Sequence, residues 1–154
     1  SSAASDVYKR QNTAANILTT ASNTLGADSA EVLAAQTALN DFSACLQAVQ
    51  NGGKSQSLTS LPYYQGSAMH ALYQADQALG VAIDQLYAKL QEQAADPMKM
   101  GAVQGQYGQF NSAATIIGTL QYNTAVYEYQ KEVGGFPASV LGAVAGVKEV
   151  EPFA

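Results

Sequence analysis

Few residues in this chain have the chemistry to hold a phosphate, a metal ion or a mobile proton. Gly52-Gly53-Lys54-Ser55 has the ending of a phosphate-binding loop, in which backbone amides cradle the phosphates and the lysine reaches their oxygens. Such a loop needs a further glycine where this chain has Ala48, and a strand ahead of it where the apolar spacing predicts a helix. That helix would also present its negative C-terminal end to the phosphate. Met69-His70 and Met98-Lys99-Met100 bring together thioethers and an imidazole, the soft donors that suit Cu(I). Met69 falls on an apolar seam, which predicts a packed core methionine, and His70 falls beside that seam, which predicts a solvated side chain. A di-iron bundle needs Glu-x-x-His, and the position three before His70 is Ser67. No cofactor and no metal are expected.

Asp28 and Asp76 each occupy an apolar position of a seam. A buried carboxylate must be paired or change its protonation, so either residue could be a site or a register pin. The plainer expectation is a seam edge open to water. Glu128 and Glu132 share a helix face beside Tyr129, a spacing that could serve acid–base work but that commonly marks a solvated face. Cys45, near Phe42 and Leu46, reads as a small buried apolar residue. No catalytic residue is assigned.

The elements that must position these residues follow from apolar spacing. Ala and Gln dominate and prolines are few, which favours long helices. A first helix is predicted over 12–50, with a seam of Leu18, Ala21, Leu25, Asp28, Val32, Ala35, Leu39, Phe42, Leu46 and Val49 at alternating gaps of three and four. The register continues through Gly26, which predicts a weak point rather than a break. A second helix is predicted over 65–94, with the seam Met69, Leu72, Asp76, Leu79, Ile83, Leu86 and Leu90. Asp96 suits an N-cap and Pro97 a first turn, so a third helix is predicted over 97–133. Its stripe of Val103, Tyr107, Phe110, Ala114 and Ile117 is followed, after a step of five, by Tyr122, Val126, Tyr129 and Val133, so the seam should drift there. Residues from 138 onward suggest a short helix and a tail. No segment shows sustained strand alternation. The expected fold is all-α, an antiparallel up-and-down bundle of three long helices.

Composition narrows the function classes. The chain of 154 residues is 47% hydrophobic and 12% charged, with a net charge of −5. That balance argues against a nucleic-acid partner, which calls for a basic face. One cysteine and one histidine exclude a cysteine-rich zinc site and an intrachain disulfide framework. Residues 1–11, SSAASDVYKRQ, resemble the translated read-through of a sequencing adaptor; the segment is expected to be a non-native scar or a disordered N-terminus, with the bundle in 12–154. A scar would mean a chain cut short upstream, with an apolar groove left uncovered where a fourth, N-terminal helix belongs.

Tyr122-Asn123, Val126 and Tyr129, followed by Phe136-Pro137, Gly146, Lys148 and Phe153, resemble the helix, Phe-Pro corner and tail of the LemA family. Asn111 and the segment Asn16-Ile17-Leu18 with Thr20 add to the resemblance, which covers most of 12–154. The chain departs from the family's pattern at Ala15, Gln130 and Val147, and it has Thr119-Leu120-Gln121 where arginines are usual. The resemblance implies a helical bundle behind a membrane anchor that would lie upstream of Asn12, with no established catalytic activity. Its signature residues are read as structural. Pro137 pushes Phe136 out of the helical region and Gly134 and Gly135 permit a reversal, so Phe136 is expected to fold back and be buried. The function expected is a non-enzymatic, membrane-associated scaffold or partner-binding module with an unknown protein partner. Two alternatives are a bundle that holds a small ligand or lipid in an apolar cavity, and an enzyme in which two of Asp28, Asp76, Glu128 and Glu132 converge.

Overall fold

The computed structural model describes residues 3–51, 65–93 and 95–123. They form four helices: α1 (Ala3–Leu25), α2 (Ala30–Gln50), α3 (Gln65–Gln93) and α4 (Pro97–Ser112). After a turn at 113–115 the chain is helical again over 116–123. No strand occurs among the described residues, so the all-α class is as expected.

The first predicted helix is two helices. Gly26 adopts φ +98°, a left-handed conformation that glycine tolerates and other residues rarely do. Its N–H closes on the Ser22 carbonyl at 3.0 Å, and the Ser29 N–H bonds to the Gly26 carbonyl at 3.1 Å. The heptad spacing runs through this reversal because the seam faces one core from both arms of a hairpin. The bundle therefore has four described helices where three were expected. The second helix matches its prediction within a residue. Asp96 caps α4 by accepting from the Met98 and Lys99 amides, with Pro97 in the first turn, as the sequence indicated.

Side-chain bonds fix the topology. Gln11 reaches Ser43 at 2.9 Å across α1 and α2, and the two residues stand equally far from the hinge. Asn16 meets Gln106 at 3.1 Å and Arg10 meets the Phe110 carbonyl at 3.0 Å, which makes α1 and α4 antiparallel. The ring pair Tyr87–Tyr107 and the contact of His70 with Gln121 run α3 against α4 and the helical turns beyond it. With α2 packed along α3, the result is an up-down-up-down bundle around one core.

Every member of the α3 seam is buried, and so are Val32, Ala35, Leu39, Phe42, Leu46 and Val49 of α2. Burial of a side chain of the Leu, Ile or Phe class contributes about 1.5–3 kcal/mol. The α1 face extends further upstream than expected: Ala4, Val7 and Arg10 are buried together with Ala14, Ile17 and Leu18. From Ala3 onward the segment 1–11 is helical, and these residues occupy the helical face that continues the seam. Buried side chains of all four helices join in one cluster among the described residues.

The phase change in the last stretch lies earlier than expected. It sits at 113–115, where the Ala113 N–H bonds to the Phe110 carbonyl and the Ala114 N–H to the Asn111 carbonyl, an i→i+3 pattern. Ala113, Ile117 and Leu120 are buried after it, while Tyr122 is 69% exposed and stands off the core. Val126, Tyr129, Phe136, Pro137, Gly146 and Phe153, the expected burial of Phe136 and the short helix from 138 lie outside the described residues.

Candidate functional site

A polar constellation is buried in the described core. Arg10 on α1 donates from Nε to Asp76 Oδ1 on α3 at 2.8 Å. Its Nη1 donates to the Phe110 carbonyl at 3.0 Å, and its guanidinium carbon lies 3.7 Å from the centre of the Phe110 ring. A carbonyl in mid-helix normally accepts from the amide four residues on. At the irregular turn after α4 the Ala114 amide bonds to Asn111, so among the described residues the Phe110 oxygen accepts one long backbone bond, from Ala113 at 3.3 Å, beside the arginine. Gly80, one helical turn beyond Asp76, supplies the space: a Cβ there would come within 3.2 Å of Nη2.

Asp76 is 0% exposed, and its Oδ2 has no hydrogen-bond partner among the described residues. Burial pushes its carboxyl above the ordinary carboxylate value, and the charge and hydrogen bond of Arg10 offset this only in part. The expectation of a seam edge open to water fails for Asp76 and holds for Asp28, which is exposed in the hinge. From Arg10 to the end of α1 the helix rises about 22 Å, which separates the two carboxylates. Arg10 is not among the candidates from sequence, because it lies in the segment 1–11 expected to be foreign or disordered. The available signal was its position on the face shared with Val7, Ala14 and Ile17.

The other candidates disperse. Met69 is buried in the core as expected, and His70 is exposed with Nδ1 2.7 Å from the Gln121 amide. Met98 is 86% exposed and Met100 half-buried. No group of three His, Cys, Asp or Glu side chains suited to a metal ion occurs among the described residues. Cys45 is half-buried, and burial followed by the nearby Asp41 raises its thiol pKa, which makes it a weak nucleophile. Tyr107 stacks on Tyr87 with ring centres 3.9 Å apart and donates to Asp84 Oδ1 at 2.6 Å. The Asp84 bond and then partial burial raise its phenol pKa. Asn123 is half-buried at the end of the described chain. Gly52, Gly53, Lys54, Ser55, Glu128 and Glu132 lie outside the described residues.

Shallow grooves run between the described helices, three of which bear on ligand binding. One of about 420 Å³ lies between α1 and α2 near the hinge, lined by Leu18, Thr19, Ser22, Val32 and Gln36, with Leu33 on its rim. A second of about 440 Å³ lies between Tyr73 and Tyr122, and a third of about 310 Å³ between Asn16 and Gln106. All three open to solvent and mix polar with apolar lining, so none is the enclosed apolar cavity that a core ligand would need. No described helix is long and apolar enough to cross a membrane. Comparison with protein-family models, with curated proteins and with solved structures finds no match.

Proposed function

We propose that the chain is a non-enzymatic helical module that binds a protein partner through its helix surface, held at a membrane by a segment outside this chain. The observation that carries the reading is the placement of ionisable groups in the described core. Arg10 and Asp76 face each other and bond across α1 and α3, with Phe110 of α4 as a further partner of Arg10, and there they serve packing, while Asp28, His70 and Asp84 lie apart on the outside. The hinge-end groove supports the binding part, because Leu33 on its rim is 53% exposed. The membrane part rests on the resemblance of Tyr122-Asn123 and the residues after them to the LemA family.

The test is photocrosslinking in cells from a probe placed at Leu33, with a probe at Met98 as the comparison. A discrete protein adduct at Leu33 that Gln36→Arg abolishes, with none at Met98, is the expected result. Equal labelling from both positions, or no adduct at Leu33, overturns the groove as the binding surface. Fractionation of cells that express the full native reading frame checks the tether, since a full-length protein recovered wholly apart from membranes overturns that part.

A further inference from the structure

We infer that α3 and α4 carry a built receptor for a guanidinium group, made by Asp76, Gly80 and Phe110, which Arg10 fills in this chain. Three features converge on one planar cation. Asp76 places a carboxylate oxygen 2.8 Å from Nε at a seam position otherwise reserved for apolar side chains. Phe110 contributes its carbonyl at 3.0 Å and its ring face at 3.7 Å. Gly80 leaves open the volume beside Nη2 that a Cβ would invade at 3.2 Å. Beside the cation, Asp76 Oδ2 is a fully buried acceptor with no partner among the described residues, which leaves unused bonding capacity at the receptor wall.

Each feature has a cost without the cation. A seam carboxylate is desolvated, a mid-helix glycine loses helix propensity, and an interrupted helical bond leaves a carbonyl underused. All three belong to α3 and α4, and Arg10 of α1 is the cation they receive. The chemistry selects a guanidinium over an ammonium. Only the planar fork donates in two directions while lying flat on an aromatic face, and it is the more weakly hydrated cation. The ligand class is an alkylguanidinium, the side chain of arginine.

The experiment removes the built-in ligand and supplies a small one. Arg10→Ala in the full chain empties the receptor, and thermal unfolding is followed with ethylguanidinium or ethylammonium chloride at matched ionic strength in the low millimolar range. Arg10→Ala is expected to melt below the parent, and ethylguanidinium to raise its Tm saturably. At ten times its Kd the probe should lower the apparent unfolding constant about elevenfold. Ethylammonium should give no such rise, the parent should not respond because Arg10 already occupies the site, and Gly80→Leu added to Arg10→Ala should abolish the response. Equal stabilisation by both cations, an equal response of the parent, or no response in a folded Arg10→Ala overturns the receptor. Should Arg10→Ala fail to fold, the Arg10 Nε–H signal of the parent decides. Strong protection from solvent exchange supports the receptor, and exchange at the rate of a free arginine overturns it.

Discussion

At the scale of the residue, the two members of the buried pair are not equivalent. Removing Arg10 leaves a desolvated carboxylate without its cation, a change that costs about 3–5 kcal/mol in buried pairs. Removing the charge from Asp76 is milder. In Asp76→Asn the amide oxygen can still accept from Arg10 Nε, and the weakly hydrated guanidinium keeps the Phe110 carbonyl and ring. Arg10→Ala is therefore expected to lower the urea midpoint far more than Asp76→Asn, which should stay within about 1 kcal/mol of the parent. The pH dependence has a definite sign. Asp76 has a folded pKa above its ordinary 3.8, so the native chain holds this proton over an interval in which the unfolded chain has lost it. The stabilisation is complete below that ordinary value and disappears as pH rises through the folded one. Urea midpoints should fall as pH climbs from about 4, and Asp76→Asn should remove that fall. A midpoint that instead rises with pH in the parent, with the rise lost in Asp76→Asn, would show that the Arg10 charge outweighs burial.

Glycine has opposite effects at two places along the helices. At Gly26 the backbone is at φ +98° and a Cβ would lie 3.1 Å from Asp28 Oδ1, so Gly26→Ala strains the hinge between α1 and α2. The expected loss is about 1–2 kcal/mol, read from the denaturation midpoint. At Gly105 on α4 the backbone is helical and a Cβ would meet nothing within 4 Å, so Gly105→Ala should gain about 0.5–1 kcal/mol. The contrast separates two readings that spacing alone could not. The seam continues in phase from Leu25 to Val32, which suits one long helix and equally suits two arms of a hairpin around one core. Asp96-Pro97 was legible because both residues act locally, one by bonding the first amides and one by lacking an amide. The turn at 113–115 carries no glycine or proline and left no such mark.

For the whole molecule, the first turns of α1 belong to the described core. Deleting residues 1–11 removes Ala4, Val7 and Arg10 from the interior and uncovers the Asp76 carboxylate. The shortened chain is expected to unfold at a clearly lower urea midpoint than the parent. Its α3 amides near Asp76 should lose protection in hydrogen exchange more than those near Leu90. An unchanged midpoint would show that these residues add nothing to the fold. The sequence by itself determined the helical class, the faces that α2 and α3 bury and the start of α4, because periodicity and caps act within one segment and need no partner to be read. Only the tertiary structure decided that the first long seam folds back on itself at Gly26, that Asp28 meets water while Asp76 meets an arginine, and that Gly80 and Phe110 belong to one site. Those outcomes depend on which side chain of a distant helix arrives at the same level of the core, and a carboxylate on a seam carries the same local pattern whether its neighbour is solvent or a guanidinium.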